Sequence, residues 1–329
     1  MRLPHQILVS PFFVFSTVEE LVGALGLDPQ AYESTQLRTL SNCQLPPVIS
    51  RHSLATMLGV NPGLIWSLAT RPHRYYRTFE IPKGRGTRTI TAPRVALKII
   101  QKWLGYHLAR AVPLPKHVYG FVPGRSHIEA AYVHQGAEWA LSVDIENFFQ
   151  TTPASLVQST FRQLGYNDKA ADLLTSLTCY QGVLAQGAPS SPTLSNLCFV
   201  NADAALMRLS ERYACRITRY ADDIVLSGQG GMPATLRKEL HCIFDNGPWR
   251  LSSKKEIVQP IRGRIKVYGL IVNRPSVRLT KGYRNKIRAY KHILAKYPDR
   301  LVDCQALVGH VLYSKHVNDV LERLSNSDT

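Results

Sequence analysis

The sequence contains few acidic residues, with 23 Asp and Glu against 40 Lys and Arg in 329 residues. This shortage points toward an anionic partner. Long hydrophobic runs are also absent: the apolar stretch from Ile7 to Phe15 is interrupted by Ser10 and Pro11. A transmembrane helix needs ~20 apolar residues, so we expect no membrane association and a cytoplasmic protein.

None of the six cysteines belongs to a CxxC pair, and no Cys/His cluster has the spacing of a zinc finger. We therefore expect buried free thiols in a reducing compartment rather than a zinc site or a disulfide framework. The sequence shows no internal repeat and no low-complexity segment. Its 45% hydrophobic and 19% charged residues are typical of a globular protein.

The basic residues are concentrated in two segments. Residues 71–102 have a net charge of +8 and residues 251–300 have +12, whereas residues 1–70 have −1. Two basic segments around a nearly neutral middle suit a groove that grips a polyanion from two sides. A generally basic, solvated surface is the alternative, and the clustering favours nucleic-acid binding.

The first hundred residues predict short helices and one hairpin. Helices are expected over 17–26 with Thr17 as N-cap, in two pieces over 53–69, and over 94–111. Of the two helices expected over 53–69, the first would be capped by Ser53 and the second would begin at Asn61-Pro62. The expected hairpin joins 76–81 to 87–91 through a basic turn. The apolar face expected on the helix over 94–111 consists of Val95, Ile99, Trp103 and Leu104.

The middle of the chain predicts a sheet. A strand over 139–145 is apolar enough to be buried on both faces. The elements expected after it are two helices over 153–178, two strands over 215–220 and 224–227, a helix over 234–246 and a strand over 266–273. This order is typical of a split βαβ sheet. A basic helix over 280–296 and a second helix over 311–324 are expected after it.

Three acids stand out in this middle region. Asp144 ends the buried strand, where a carboxylate is costly unless something positive compensates it. Asp222 and Asp223 lie at the tight turn between two apolar strands, and adjacent carboxylates are best tolerated beside a divalent cation. A lone Asp at a strand end is weak evidence for a metal site, since helix caps also use Asp. A bare Asp-Asp pair is also weak evidence, since such pairs are common in surface turns.

Nucleotide joining requires such a set of carboxylates. Two Mg²⁺ ions ~4 Å apart lower the pKa of the attacking hydroxyl and neutralise the leaving oxygens, and Mg²⁺ prefers carboxylate and phosphate oxygens. A third element, the loop from Gln186 to Asn196, contains Gly187, Pro189 and Pro192. Such a rigid loop could support a template strand or an incoming base, or be a structural turn.

Together these motifs resemble the palm motifs of reverse transcriptases, most closely the bacterial retron reverse transcriptases. The resemblance rests on Tyr220-Ala221-Asp222-Asp223, on Gln186 to Asn196 and on Asp144 to Phe149, and it extends from about Arg74 to Asn273. It implies an α+β right-hand polymerase fold. The implied divisions are an N-terminal helical region over 1–70, fingers over 71–138, a palm over 139–273 with fingers elements at about 153–195, and a basic helical thumb over 274–329.

The resemblance also implies roles for individual residues. Asp144, Asp222 and Asp223 would hold two Mg²⁺ ions, and Lys255 would protonate the leaving pyrophosphate. Contacts to the incoming dNTP are implied for Lys83, Arg85, Arg88, Phe149 as steric gate, and Gln186. The primer grip would be Val267, Tyr268 and Gly269. The basic helix adds candidate RNA-binding residues at helical spacing: Lys281, Arg284, Arg288 and Lys291.

Two departures from the retron pattern concern the subclass. An Asn-Ala-x-x-His box is usual, but Ala130 stands in the Asn position while His134 remains. Val-Thr-Gly is usual at the primer grip, and Tyr268 replaces the Thr.

The expected function is RNA-directed DNA synthesis from dNTPs on a cognate structured non-coding RNA. By the resemblance, the product is RNA-linked single-stranded DNA, with an effector protein as partner in anti-phage defence. The alternatives are a non-retron defence-associated reverse transcriptase, perhaps template-independent, and an inactive RNA-binding scaffold.

Overall fold

A computed structural model describes residues 8–84, 86–260, 262–297 and 305–327. The helices in chain order are α1 Val18–Ala24, α2 Tyr32–Asn42, α3 Arg51–Leu58, α4 Pro62–Thr70, α5 Val95–Ala111, α6 His127–Tyr132, α7 Ala154–Gln163, α8 Asp168–Thr178, α9 Ser191–Cys198, α10 Val200–Arg212, α11 Leu236–Cys242, α12 Lys281–Lys296 and α13 Gln305–Ser327. The strands are β1 Tyr76–Lys83, β2 Gly86–Pro93, β3 Trp139–Asp144, β4 Cys179–Tyr180, β5 Val183–Leu184, β6 Arg216–Tyr220, β7 Asp223–Gly228, β8 Ile257–Pro260, β9 Lys266–Val267, β10 Leu270–Ile271 and β11 Arg278–Leu279.

The described residues form two compact units. The first lies within Met1–Leu114 and Asn147–Asn201, and the second within Pro115–Glu146 and Ala202–Thr329. None of the helices in the described ranges is long and apolar enough to cross a membrane.

Helices α1, α3 and α4 of the first unit begin with side-chain caps. Thr17 caps α1 by accepting from Glu20 N at 3.2 Å, and Asn61 caps α4 with Pro62 in the first turn, both as expected. Ser53 as a cap was a wrong prediction, because α3 is capped by Ser50. Ser53 is the third helical residue, and its hydroxyl accepts from Ser50 N to complete a reciprocal capping box.

The hairpin β1–β2 and helix α5 are present, and the expected face of α5 was right for Trp103 and Leu104 but wrong for Val95. Val95 is exposed, and the buried stripe runs through Leu97, Ile100, Leu104 and Leu108 together with Trp103. This stripe follows the spacing of three and four residues and is rotated around the helix axis from the expected face, with which it shares Trp103 and Leu104. It packs the helix into the core of the first unit.

The second unit contains a four-stranded antiparallel sheet in the order β6-β7-β3-β8. The central strand β3 is buried on both faces, as expected. A single strand over 266–273 was wrong, because Tyr268 and Gly269 both have positive φ and form a tight turn between β9 and β10. These strands join β11 in a separate sheet, and the fourth strand of the main sheet is β8, which was not predicted.

One face of the main sheet contributes to a buried cluster. It joins Ala140 of β3 and Val225 of β7 to Ile128 of α6, Leu270 of β10 and Val317 of α13. The helix expected over 234–246 is shorter, as α11, and the last helix is longer than expected, as α13. Helix α12 begins after the N-cap Thr280, as expected.

Candidate active site

The hairpin β6–β7 presents two of the expected acids. Tyr220 pairs with Asp223, so that Ala221 and Asp222 form a two-residue turn. Ala221 has a φ of 60° and is buried, although the first position of such a turn usually requires glycine. Positive φ in a residue with a side chain persists only where the surroundings hold it. The turn must therefore be fixed by its neighbours.

The third acid lies directly beside this turn. Asp144 at the end of β3 pairs in register with Asp223, and Ile145 N donates to Asp222 O at 3.0 Å. On the other side, Ser252 N donates to Asp144 O at 2.8 Å. The segments that carry the acids are thus hydrogen-bonded to one another.

Lys255 joins the acids from the segment that follows. Its Nζ lies 2.5 Å from Oδ1 of Asp144, whose side chain is almost fully buried, while half of the Lys255 side chain is exposed. The structure therefore brings together four predicted residues, Asp144, Asp222, Asp223 and Lys255.

The electrostatics of the acids show a shortage of positive charge. Desolvation, then repulsion from Asp222 and Asp144, raises the pKa of Asp223 to about 6 from 3.8, against the opposing effect of Lys255. A nearby divalent cation would relieve this repulsion.

The acids fit a divalent metal site in which substrate phosphates and waters would supply the remaining ligands. Among the described residues, no group of three or more His, Cys, Asp or Glu side chains already forms a metal cage. Mg²⁺ is typically held by one or two carboxylates together with waters and substrate phosphates, and so needs no such cage. The paired Asp144 and Asp223, with Asp222 on the adjoining turn, supply oxygen ligands of this kind.

A buried ion pair behind the hairpin was not predicted. Arg219 of β6 and Asp203 of α10 are both fully buried, and Arg219 Nε and Nη2 donate to the two Asp203 oxygens at 2.8 and 2.6 Å. His117 Nε2 lies 3.1 Å from Asp203 Oδ1, and Arg219 Nη1 donates to Ala221 O at 3.1 Å. The ion pair therefore holds the strained turn from one face of the sheet.

Gly120 fixes the same turn by close approach. Tyr119 N donates to Arg219 O, and Arg219 N donates to His117 O, both at 2.8 Å, so this segment runs along β6. A Cβ on Gly120 would lie 2.1 Å from Ala221 N, a distance that real atoms do not adopt. Only glycine fits against the turn.

The turn at Tyr268 and Gly269, the expected primer grip, lies against the opposite side of the hairpin. Tyr268 Oη is within 3.3 Å of the carbonyl oxygens of Thr218 and Asp223 and 3.1 Å from Thr218 Oγ1. The buried His134 bridges Thr218 Oγ1 at 2.7 Å and Ser227 Oγ at 2.6 Å. Burial lowers the pKa of His134 to about 3, so its ring is neutral.

The expected substrate residues lie in the first unit. Arg88 is on β2 of the hairpin and half-buried, Lys83 ends β1, and Arg85 lies outside the described residues. Gln186 O accepts from Thr91 N of β2 at 2.8 Å, so its loop is attached to the hairpin. Gly187, with a φ of 124°, leaves no room for a Cβ, which would meet Ile90 at 2.8 Å.

Phe149 and Phe148 have different environments within the first unit. Phe148 is buried and meets Phe199 edge-on, with ring centroids 5.5 Å apart. Phe149 is half-buried. The expected gate residue is thus the more accessible of the two rings.

The basic face of α12 is exposed as the spacing predicts. Lys281, Arg284, Arg288 and Lys291 are exposed, whereas Ile287 is buried on the other side of the helix. A second basic surface belongs to the first unit: an open cavity of about 480 Å³ lined by Arg77, Arg94, Lys98, Lys102, Pro93, Val95 and Ile99. The cations surround an apolar floor.

Residues 81–274 match the family described as reverse transcriptase (RNA-dependent DNA polymerase). The chain belongs to this family. It is 30% identical over 257 residues to the retron Ec86 reverse transcriptase of Escherichia coli, covering 77% of this chain and 80% of that protein. It is also 30% identical over 311 residues to the retron Mx65 reverse transcriptase of Myxococcus xanthus, covering 87% of this chain and 73% of that one.

A likeness also exists to solved structures. The structure of telomerase from Candida albicans with a fragment of telomeric RNA has a TM-score of 0.48 at 10% identity, covering 77% of this chain and 58% of that chain.

These matches identify the protein as a retron-type reverse transcriptase, an RNA-directed DNA polymerase. The expected enzyme class and the α+β right-hand polymerase fold are confirmed at the level of the family. Divalent metal ions are general to such enzymes. Neither the non-retron class nor the inactive scaffold gains support from these matches.

Proposed function

We propose that Asp144, Asp222 and Asp223 hold two Mg²⁺ ions at which this reverse transcriptase joins dNTPs to a primer on RNA. The register of Asp144 with Asp223 across β3 and β7 carries the proposal, because it brings acids from distant parts of the chain to one sheet edge. When bound, the ions would supply acidification of the primer hydroxyl and neutralisation of the leaving pyrophosphate.

Lys255 would supply the proton for the leaving pyrophosphate. Its Nζ is anchored on Asp144 at 2.5 Å, and half of its side chain is exposed. A cation that is bound by one carboxylate and open to solvent can turn toward a phosphate when substrate arrives. As general acid it would donate to the bridging oxygen as the bond to phosphorus breaks.

The residues that would hold the dNTP are Lys83, Arg85, Arg88, Phe149 and Gln186. The main-chain hydrogen bond from Thr91 to Gln186 supports a joint role, because it attaches the loop to the hairpin that carries Arg88. We assign fingers to 71–138 and about 153–195, palm to 139–273 and thumb to 274–329, after the N-terminal helical region over 1–70.

The template would be a cognate structured non-coding RNA, primed from one of its own 2′-hydroxyls to give RNA-linked DNA. In the second unit the exposed cations of α12 support phosphate binding, and in the first unit the basic cavity beside β1 and α5 does so as well. An effector protein in anti-phage defence would be the further partner. Sequencing the RNA and DNA that copurify tests this, since unlinked or random nucleic acid would contradict it.

The test of the catalytic assignment is Asp222→Asn. An amide cannot neutralise a cation, so we expect loss of dNTP incorporation on an RNA template with a DNA primer, without loss of the fold. Asp245→Asn is the matched control, because Asp245 is an exposed acid of the same unit outside the site. Near-normal primer extension by folded Asp222→Asn would refute the assignment.

A further inference from the structure

The turn between β9 and β10 contains a conformation that needs support. Tyr268 has a φ of 47° and Gly269 of 90°, and they connect the paired residues Val267 and Leu270. Positive φ at both turn positions suits Asn or Gly, whereas a bulky aromatic residue there is an outlier. Such a residue persists only where other contacts determine its position.

The contacts of the Tyr268 hydroxyl supply this support. Three oxygens of the β6–β7 hairpin surround Oη: Thr218 Oγ1 at 3.1 Å, Thr218 O at 3.3 Å and Asp223 O at 3.3 Å. The rings of Tyr268 and Tyr220 also lie 5.7 Å apart. The turn is therefore attached to the hairpin at the residue that carries one of the catalytic acids.

Proton counting gives this network a direction. A phenol has one proton, and carbonyl oxygens only accept, so Tyr268 must donate to a carbonyl and accept from Thr218 Oγ1. Thr218 Oγ1 then accepts from His134 Nε2, which leaves Nδ1 of the neutral ring to accept from Ser227 Oγ. Each side chain in this network donates one hydrogen bond to the next, in the order Ser227, His134, Thr218 and Tyr268. The Tyr268 hydroxyl donates the last one to a backbone carbonyl oxygen of the hairpin.

We propose that Tyr268 is a positioning residue, whose hydroxyl fixes the primer-grip turn to the backbone of the hairpin that carries Asp222 and Asp223. The buried Thr218 and His134 orient that hydroxyl. The role rests on the proposed function, because it matters for synthesis only if the primer end lies at this turn. This role would explain why Tyr stands where Thr is usual, because the shorter Thr side chain could not bring its hydroxyl to the hairpin carbonyl oxygens.

The experiment compares Tyr268→Phe with Tyr166→Phe. Both remove a hydroxyl bonded to main-chain carbonyl oxygen, but Tyr166 donates to Pro46 O at 3.0 Å in the first unit. The single-turnover rate constant for the first dNTP is measured on an RNA template annealed to a DNA primer. This constant does not depend on the fraction of folded enzyme, so a merely structural loss would lower only the amplitude.

We expect Tyr268→Phe to lower the rate constant about two- to tenfold, the range of one hydrogen bond, without changing the dNTP concentration for half-maximal rate. Tyr166→Phe should keep the wild-type rate constant. Thr218→Val should lower the rate constant about as much as Tyr268→Phe, whereas Thr218→Ser, which keeps the hydroxyl, should have the wild-type rate constant. The double variant Thr218→Val with Tyr268→Phe should be little slower than Tyr268→Phe alone. An unchanged rate constant in Tyr268→Phe, or a change in dNTP half-saturation alone, overturns the proposal.

A second measurement is independent of catalysis. Amide hydrogen exchange over 216–228 should be faster in Tyr268→Phe than in Tyr166→Phe, also when both are made in the Asp222→Asn background. Equal exchange in the two variants overturns the proposal even if no polymerase activity is detected. Incorporation retained by Asp222→Asn alone would instead refute the proposed function and leave the exchange result valid.

Discussion

The close approach of Gly120 to the catalytic turn gives a quantitative prediction for Gly120→Ala. The added Cβ would lie 2.1 Å from Ala221 N, 2.8 Å from Tyr220 C and 3.0 Å from Ala221 Cα, all main-chain atoms. Ordinary contact begins near 3.4 Å, so the turn must shift by about 1.3 Å relative to Gly120. Flexible side chains cannot absorb this shift.

A displacement of that size at a reacting centre costs on the order of 100-fold in rate. We expect Gly120→Ala to lower the single-turnover rate constant by about 100-fold, equivalent to about 2.7 kcal/mol in the barrier. RNA affinity, for which we propose the exposed cations of α12, should be unchanged. The assay is single-dNTP incorporation together with RNA affinity and thermal unfolding.

Gly231→Ala is the matched control, because a Cβ there meets nothing within 4 Å and the position has no left-handed φ. It should retain the wild-type rate. A folded Gly120→Ala enzyme with a rate within about threefold of wild type would show that the turn does not need its position against Gly120 for catalysis.

Two further predictions concern charge. Because the folded pKa of Asp223 is about 6 and its ordinary value is 3.8, the folded state binds more protons, and stability falls as pH rises from about 4 through 6. In metal-free buffer Asp223→Asn should therefore raise the melting temperature at pH 7 and lose this advantage near pH 4; no difference at pH 7 contradicts the repulsion. Replacing Arg284, Arg288 and Lys291 by Ala should flatten the salt dependence of RNA binding by about two to three log units per log salt, with little change in stability. An unchanged slope would show that this face does not contact phosphates.

The three acids could be singled out from the sequence because their cost is visible locally, although their proposed roles came from the resemblance to reverse transcriptases. Asp144 at the end of an apolar strand and the Asp222-Asp223 pair between apolar strands each demand compensation wherever the chain folds. The sequence predicted the strands that carry them, but the register of Asp144 with Asp223 across β3 and β7 is known only from the structure. The same reasoning applied to Arg219, a cation in the apolar strand β6, would have demanded a buried acid partner.

That partner could not be identified from the sequence. Asp203 lies in an amphipathic helix where an acid usually faces solvent, and His117 is distant along the chain. Gly120 likewise has an ordinary sequence environment, and its requirement arises only from the main chain of Ala221. Contacts between residues that are distant in the sequence leave no periodic pattern from which they could be predicted.

The break between β9 and β10 was missed for a different reason. Residues 266–273 are apolar enough for one strand, and Tyr268 is a good strand former. The turn forms because Gly269 accepts positive φ and because the Tyr268 hydroxyl reaches the neighbouring hairpin. A tertiary contact therefore overrides a local preference.

The supports of the catalytic hairpin share an electrostatic property. On one face, the charge of Arg219 is cancelled by Asp203; on the other, Tyr268, Thr218 and His134 are neutral. These supporting groups therefore fix the strained turn without adding net charge beside the acids. Lys255 is bonded to Asp144 and is half exposed to solvent. A rigid hairpin whose supports add no net charge suits the proposed function, because the charge of the acids would then be available to metal ions and to Lys255 when substrate binds.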